Sequence, residues 1–385
     1  MGRHYVVSRG MGESARRRKP SKRNLASGVS MQVPLHARHA QLGARFVEFA
    51  GYEMPVMYTS ILDEHAAVRQ KAGVFDVSHM SNLWIRGKHA TALVSKTVGT
   101  NPERIKPGRA SYTVAMREDG SIIDDLIYYK FSEDEFHVIV NAGMNRIMTS
   151  WFQAHANPDT LVEDVSPEYC ILAIQGPQAR AIVDKAMPGP YGQTKKFHFT
   201  EFKVGKRKAF VAGTGYTGED GVEVVAPNDE GKRIFDAVLE KGQAHGILPI
   251  GLGARDTLRL EKGFCLAGHE FAGGRTPLEA GLDWVVHEDH DFVGKEALAK
   301  QRASSEYERL VGLTVEDRQI PRQGYRILDD GAAVGLVTSG TMSPSLKRGI
   351  ALGYVPASRS GVGTRLGIEV RGQAAACLVT KLPFL

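Results

Sequence analysis

The stretch SIIDDLIYYKFSEDEFHVIVN, residues 121–141, consists of two apolar, β-branched runs separated by a short polar turn. Residues 121–131 and 135–141 are predicted to be neighbouring strands, and residues 132–134 form the turn between them. Apolar side chains occupy both alternating sets of positions in the first run, so we expect that strand to be buried on both faces.

Helical and strand patterns alternate on either side of this pair, without the regular strand–helix rhythm of a parallel α/β protein. Helices are predicted at 60–70, 142–156, 229–245, 254–262 and 295–301, with one more after the turn at 175–177. Further strands are predicted at 82–86, 111–116, 170–174, 201–204, 208–212, 222–226 and 283–286. This mixture predicts an α+β region over residues 31–302.

After residue 300 the pattern changes to short strands separated by turns. They are predicted at 310–315, 325–328, 335–338, 350–355, 365–370 and 375–380. The polar stretch 303–307 marks the change, so we expect an all-β domain over residues 307–385.

The composition is typical of a globular protein: 42% of the residues are hydrophobic and 24% are charged. With 385 residues, the chain is long enough for two or three domains. No apolar run approaches the roughly 18 residues of a membrane span, so no membrane partner is expected. Cys170, Cys265 and Cys377 are far apart and form no CxxC motif, which favours buried thiols in a reducing compartment.

The net charge of +6 originates in the first 30 residues, which carry eight Lys and Arg against one Glu. That tail contributes 8 − 1 = +7, which leaves −1 for the rest of the chain, so no nucleic-acid partner is expected. The tail has no amphipathic period, which favours a disordered segment or an upstream start with Met31 as the true first residue. These interpretations predict a cytoplasmic protein. An Arg-rich transit peptide is the alternative and would place the protein in the mitochondrial matrix.

Two motifs resemble a dinucleotide site and a metal site, but the residues around each motif argue against such a ligand. Residues 213–218 spell GTGYTG, but a strand follows them, whereas a dinucleotide fingerprint needs a helix there. The glycines instead indicate a tight turn that brings the backbone close to a flat ligand. Residues 287–291, HEDHD, are typical of a solvated loop, and we expect no metal site.

Several charged residues lie in runs that are otherwise apolar. Asp124 and Asp125 are adjacent in a strand, so alternation places them on opposite faces and argues against a directly paired dyad. Either one caps a turn beside Gly120 and the other meets a buried arginine, or one faces a polar site. Glu223 raises the same question, with the helical cations Arg255 and Arg259 as candidate partners in a structural ion pair or a ligand site.

Several further runs resemble one family in its own order. They are GVFDVSHM (73–80), IIDDLIYY (122–129), GYTGEDGVEV (215–224), GLGARDTLRLEKG (251–263), TPLEAGLDW (276–284), FVGKEAL (292–298) and VTSGTMSPSL (337–346). Together they resemble the aminomethyltransferase family, the T-protein of the glycine cleavage system, over residues 34–385.

The resemblance implies a three-domain, cloverleaf-like fold of the α+β class. Two interleaved ferredoxin-like α+β units bind tetrahydrofolate, and a β-barrel-like domain closes the C-terminus. The implied reaction takes an aminomethyl group from the lipoyl arm of a carrier protein, the H-protein. It gives 5,10-methylenetetrahydrofolate and releases ammonia.

The resemblance also assigns roles to residues. Asp125 matches the family's catalytic acid residue. The chemistry explains this role, because a fixed carboxylate stabilises positive charge on the transferring carbon. Asn141 matches the residue that orients it, and Glu223 matches the carboxylate that accepts two N–H bonds from the pterin edge. The remaining folate contacts implied by the family are Met80, Tyr112, Tyr216 and Arg255.

The departures from the family pattern are mild: Gly120-Ser121 replaces a Gly-Gly pair, and Tyr52 stands in the usual AGW motif. Residues 261–270 also resemble a folate-binding relative that acts in iron–sulfur maintenance, although the cysteine spacing differs. The alternative enzyme is a folate-dependent demethylase of a small amine, sulfonium or aryl ether. A folate-binding protein without turnover and a nucleic-acid binder acting through its tail are the remaining alternatives.

Overall fold

The computed structural model describes residues 30–385, so the predictions for the basic tail lie outside the described residues. In chain order, the strands are β1 (Met31–Gln32), β2 (Arg45–Phe49), β3 (Tyr52–Met57), β4 (Gly73–Asp76), β5 (Ser81–Arg86), β6 (Arg109–Met116), β7 (Ile122–Ser132), β8 (Glu135–Val140), β9 (Leu161–Asp164), β10 (Tyr169–Gln175), β11 (Phe199–Val204), β12 (Arg207–Ala212), β13 (Gly221–Pro227), β14 (Leu248–Ile250), β15 (Arg309–Val315), β16 (Arg326–Asp329), β17 (Ala332–Met342), β18 (Gly349–Val355), β19 (Arg365–Val370) and β20 (Gln373–Thr380). The α-helices are α1 (His36–Gln41), α2 (Ile61–Gln70), α3 (Ala90–Thr97), α4 (Asn145–His155), α5 (Ala179–Ala186), α6 (Asn228–Gly242), α7 (Leu252–Glu261) and α8 (Lys295–Ser304). None of these helices is long and apolar enough to cross a bilayer.

Two larger sheets are interleaved in the chain. The first has the strand order β6-β7-β8-β5-β9, and the second has the order β11-β12-β13-β10-β4-β14. The chain therefore starts the second sheet with β4, leaves it to build the whole first sheet, and returns with β10. A smaller sheet, β1-β3-β2, precedes them. The interleaved α+β arrangement expected from the family resemblance is confirmed.

The first sheet also explains the ferredoxin-like description. Its elements follow the order β5-α3-β7-β8-α4-β9, and β5 lies between β8 and β9 in the sheet. That is a βαββαβ unit with β6 added at the edge beside β7. The second unit repeats the plan with β10, α5, β12, β13, α6 and β14, and β4 is inserted between β10 and β14.

The two sheets pack against each other through an aromatic core. Tyr129 of the first sheet lies with its ring centroid 4.7 Å from that of Phe210 in the second. Trp84 and His137 of the first sheet add to the same core, with ring centroids 4.6 Å apart. Helices α3 and α4 cover the outer face of the first sheet, and α5 and α6 cover that of the second. Strand β7 is thus covered on both faces, but the predicted burial is complete only on the face toward the helices. On the face toward the second sheet, Tyr129 is buried and the other residues are half-buried.

The C-terminal strands form a closed barrel in the order β15-β18-β17-β16-β19-β20. Helix α7 connects the barrel to the sheets, because Leu260 packs against Ile350 and Leu352. Next to it, the buried Glu261 accepts hydrogen bonds from Arg69 Nη2 at 2.9 Å and from the Ser345 amide at 3.0 Å. Burial opposes the charge of Glu261, but hydrogen bonds from His65 and Ser343 lower its pKa to about 2.

One predicted strand is wrong: residues 283–286 contain a 3-10 turn, Asp283–Val285. The amide of Val285 bonds to the Leu282 carbonyl at 3.1 Å, and that of Val286 bonds to the Asp283 carbonyl at 3.0 Å. These local bonds replace a sheet ladder, and a four-residue apolar run is too short for its pattern to separate the two structures.

Helix α6 approaches β10 so closely at Gly231 that an added methyl group does not fit. A Cβ at Gly231 would lie 1.7 Å from Cys170 Sγ. Gly231→Ala should therefore lower the free energy of unfolding by about 2 kcal/mol, although alanine ordinarily stabilises a helix interior relative to glycine. Urea denaturation measures the change.

Two further variants make this test specific. The exposed Lys232→Ala in the same turn should shift stability by less than about 0.5 kcal/mol. In a Cys170→Ala background, Gly231→Ala should be tolerated because the clashing sulfur is gone. An equal loss in both backgrounds would show that the contact with Cys170 is not the cause.

Candidate functional site

Asp125 and Asn141 meet at the end of the first sheet. Val140 pairs with Leu126, so the next residue, Asn141, lies beside Asp125. The Asn141 side-chain Nδ2 donates to Asp125 Oδ1 at 2.8 Å and to Asp124 Oδ1 at 2.9 Å. The Asn141 backbone amide also donates to Asp124 Oδ2, at 3.1 Å. One asparagine therefore holds both carboxyl groups.

The prediction for the two aspartates needs one correction. Alternation along β7 holds, because Leu126 and Tyr128 pack in the helix-covered core while Tyr129 packs between the sheets. The two carboxyl groups nevertheless share a hydrogen-bond donor, the Asn141 side chain at the strand end. The turn beside Gly120 is capped by Asp119, whose Oδ1 accepts from the Ser121 amide at 2.9 Å. Among the described residues, neither Asp124 nor Asp125 caps the turn beside Gly120, and neither is paired with a buried arginine. Both accept hydrogen bonds from Asn141 instead.

Asp125 is held from a second side by Tyr112. Val114 of β6 is the cross-strand partner of Asp125, which places Tyr112 diagonally on the same face. Tyr112 Oη donates a 2.9 Å hydrogen bond to Asp125 Oδ2. Both carboxylate oxygens therefore have a fixed donor, and the carboxylate has a single orientation.

The two carboxyl groups differ in how firmly they hold a proton. Burial, followed by the negative charge of Asp125, raises the pKa of Asp124 well above its ordinary value and outweighs the hydrogen bonds from Asn141. Burial also raises the pKa of Asp125, but the hydrogen bonds from Tyr112 and Asn141 favour its ionised form. Asp125 is thus the member of the pair better prepared to carry the negative charge.

Glu223 supplies a second carboxylate from the second sheet. It lies on β13 between Ala173 of β10 and Ala212 of β12. Thr214 Oγ1 donates to Glu223 Oε2 at 2.5 Å, and Tyr129 Oη of the first sheet lies 3.4 Å from Thr214 Oγ1. Burial raises the pKa of Glu223, against the opposing effects of the Thr214 hydrogen bond and the Arg255 charge.

Tyr216 and Arg255 contact each other, and each is influenced by the charge of one of these carboxylates. The Arg255 guanidinium stands 4.5 Å from the centroid of the Tyr216 ring. Burial lowers the pKa of Arg255, and the charge of Glu223 opposes that shift. Burial raises the pKa of Tyr216, and the charge of Asp125 adds to that increase. Among residues 30–385, the contact found for the Arg255 guanidinium is the one with the Tyr216 ring, and its N–H groups can donate only to acceptors such as a ligand oxygen.

Met80 belongs to the same region because it joins the two sheets. It lies between β4 and β5, and its successor Ser81 pairs with Val140, so Met80 lies beside Asn141. The neighbouring His79 is 1% exposed. Burial, followed by the Arg255 charge, lowers the pKa of His79 to about 3, which keeps the imidazole neutral.

Two residues near the site did not emerge as functional candidates from the sequence. Trp284 stacks on Tyr112 with ring centroids 5.9 Å apart, yet 62% of it is exposed. Glu270 is fully buried, and its charge contributes to the raised pKa of Asp125. A glutamate inside the run EKGFCLAGHE carries no local pattern that separates a buried residue from a surface one.

The HEDHD segment at 287–291 forms a loop, as expected, and its histidines bond to backbone atoms. His287 Nδ1 accepts from the Asn101 amide at 3.2 Å, and His290 Nδ1 lies 2.8 Å from the His287 carbonyl oxygen. In the part of the chain that the structure describes, no three His, Cys, Asp or Glu residues are grouped as a metal site requires.

Family models account for nearly all of the described chain. Residues 35–290 match the model described as the GCVT N-terminal domain. Residues 308–385 match the glycine cleavage T-protein C-terminal barrel domain.

Individual relatives agree with the models. The aminomethyltransferase of Chloroherpeton thalassium is 42% identical over 356 residues, which is 92% of this chain and 98% of the relative. That of Halothermothrix orenii is 42% identical over 355 residues, covering 92% and 99%. The crystal structure of the glycine cleavage system aminomethyltransferase T from Bartonella henselae superposes with a TM-score of 0.87. It is 33% identical and covers 93% of this chain and 98% of that chain.

The hydrogen bond from Tyr112 to Asp125 makes a pH prediction. Because this donor favours the carboxylate, Tyr112→Phe should raise the pKa of Asp125 further. Asp125 should therefore lose its proton at a higher pH. If activity needs the ionised carboxylate, the acid limb of the pH–activity profile should shift to higher pH by the same amount. Carboxyl ¹³C NMR of labelled aspartate, assigned with Asp125→Asn, measures the shift.

Tyr191→Phe is the control, because Tyr191 packs in the second sheet's helix-covered core. The Asp125 titration should be unchanged in that variant. An Asp125 pKa that stays constant or falls in Tyr112→Phe would contradict the assigned hydrogen bond.

Proposed function

This chain belongs to the glycine cleavage T-protein family and is an aminomethyltransferase, and we propose that tetrahydrofolate accepts the group it transfers. In this proposal the donor is the aminomethyl-loaded lipoyl arm of a carrier protein, the H-protein. The products are 5,10-methylenetetrahydrofolate, ammonia and the reduced lipoyl arm. The observation that supports it most strongly is geometric and joins the two interleaved sheets. Tyr129, on the same face of β7 as Asp125, has its Oη 3.4 Å from Thr214 Oγ1, which donates to Glu223.

Glu223 is proposed to bind the pterin. The pterin edge presents two parallel N–H donors, and an ionised carboxylate accepts both with charge-assisted bonds. The 2.5 Å hydrogen bond from Thr214 supports one carboxylate oxygen and fixes the orientation of the group. The charge of Arg255 favours ionised Glu223, which is the form that accepts hydrogen bonds.

The flat walls of the site also suit a pterin. Tyr216 offers an aromatic face, Met80 a flexible apolar side chain, and Tyr112 a second ring, backed by the exposed Trp284. Arg255 is the nearby cation for a folate oxygen. We propose for these residues the folate-binding roles that the family resemblance implies.

Asp125 is proposed to act on the carbon being transferred. That carbon starts bonded to the lipoyl sulfur and to the amino nitrogen. It gains positive, sulfur-stabilised character as its bond to ammonia breaks, and one folate nitrogen then bonds to it. Cleavage of the C–S bond releases the reduced lipoyl arm and leaves an iminium-like carbon, which the second folate nitrogen attacks. A carboxylate fixed by Tyr112 at one oxygen and Asn141 at the other stabilises this charge without reorganising. The same carboxylate can take up the proton lost by the attacking nitrogen.

Single-turnover transfer from an aminomethyl-loaded carrier tests this role. In Asp125→Asn, folate-dependent ammonia release should fall by about 10²-fold or more, because the charge on the developing cation is no longer balanced. Folate binding should persist, because Glu223 is intact. Wild-type protein that binds folate but takes nothing from the carrier would favour a folate-dependent demethylase.

Glu223→Gln should weaken tetrahydrofolate binding by about 10- to 100-fold, because an amide cannot accept two charge-assisted hydrogen bonds. Isothermal titration measures the dissociation constant. Glu201→Gln, on the exposed edge strand β11 of the same sheet, is the matched control and should bind normally. Unchanged affinity in Glu223→Gln would remove Glu223 from the site.

A further inference from the structure

We propose that the buried Arg259–Glu270 pair is a positioning device through which the C-terminal barrel holds Tyr216 in the folate site. Neither residue is proposed to touch the ligand. The inference rests on the proposed function only where folate binding serves as a readout. The contact chain runs from the barrel to the ion pair, from the pair to residues 264–270, and from that segment to Tyr216.

The pair itself is enclosed. Arg259 is 1% exposed and Glu270 is 0% exposed. Arg259 Nη1 lies 3.3 Å from Glu270 Oε2, and Arg259 Nε donates to Asp256 Oδ1 at 2.8 Å. Two charged groups at this depth require hydrogen bonds from their surroundings, and the barrel supplies several of them.

Three barrel side chains hold the pair. Thr338 Oγ1 donates to Glu270 Oε1 at 2.6 Å, and Ser339 Oγ accepts from Arg259 Nη2 at 2.8 Å. Tyr354 Oη donates to the Glu270 backbone carbonyl at 2.8 Å. Thr338 and Ser339 lie on β17 and Tyr354 on β18, so adjacent barrel strands fix both members.

The pair in turn holds the backbone of residues 264–270 at two points. Arg259 Nη1 donates to the Phe264 carbonyl at 2.9 Å, and Glu270 Oε2 accepts from the Leu266 amide at 2.8 Å. Cys265 lies between these points. Its backbone carbonyl therefore has a defined position.

That carbonyl is the hydrogen-bond acceptor for Tyr216 Oη. Phe264 adds a stacked ring 5.8 Å from that of Tyr216, at an interplanar angle of 26°. The hydroxyl and the ring of Tyr216 are thus both fixed by the segment that Arg259 and Glu270 hold. Since Arg255 lies over the same ring, displacement of Tyr216 would also disturb the cation available to folate.

Stability alone does not account for the pair. Well-packed apolar residues are often as stable as a buried ion pair, whereas charges with fixed hydrogen-bond geometry specify position. Here both Glu270 oxygens are used, one by the barrel and one by the segment beside Tyr216. The arrangement transmits the barrel's position to the site.

Thr338→Val and Thr338→Ser form the matched test. Valine removes the hydroxyl donor to Glu270 at nearly constant volume, and serine retains it. Thr338→Val should raise the KM for tetrahydrofolate about 3- to 10-fold while kcat changes less than about twofold, since Asp125 and its donors are untouched. Thr338→Ser should restore the wild-type KM. The melting temperature is recorded for each variant.

Hydrogen exchange supplies a readout that needs no folate. The Leu266 amide donates to Glu270, so a peptide covering residues 264–270 should exchange faster in Thr338→Val than in wild type or Thr338→Ser. If the wild-type protein fails to bind folate, the proposed function is overturned, but the exchange rates still test the positioning role. Unchanged exchange in Thr338→Val, or equal effects of valine and serine, would overturn the positioning role.

Discussion

The site depends on one constraint, the interleaving of two sheets that pack face to face. Because β4 belongs to the second sheet and β5 to the first, residues 77–80 must cross between them, and Met80 reaches the site at that crossing. The aromatic core around Tyr129 and Phe210 fixes the separation of the sheets. The positions of Asp125 and Glu223, carboxylates on different sheets, are thereby fixed relative to each other, and the Tyr129–Thr214 contact joins the two sides.

The buried carboxyl groups of the site are tolerated because each has a specific hydrogen-bond donor. Asn141 satisfies two carboxyl groups, Thr214 supports Glu223, and the Arg259–Glu270 pair is enclosed by barrel hydroxyls. Desolvation raises the pKa of Asp125, while its donors favour the ionised form. The balance leaves a carboxylate whose orientation is fixed before substrate arrives, which is the condition for electrostatic catalysis.

Strand alternation and the change of pattern near residue 305 were enough to predict β7, β8 and an all-β C-terminal region, because these elements follow local rules. The opposite facing of Asp124 and Asp125 was also predictable from alternation. Their shared contact with Asn141 was not, since it depends on the register between β7 and β8. Glu270 was missed because its burial depends on the docking of the barrel. Its barrel partner Thr338 lies 68 residues further along the chain. The roles assigned to Met80, Tyr112, Tyr216 and Arg255 came from family resemblance, and composition or spacing alone would not have given them.

A crystal structure with bound 5-methyltetrahydrofolate would show whether one ligand spans residues from both sheets. We expect the pterin N–H edge within hydrogen-bond distance of the Glu223 carboxylate and the reactive folate nitrogens beside Asp125. A pterin bound away from Glu223, or held by one sheet with Asp125 out of reach, would contradict this expectation.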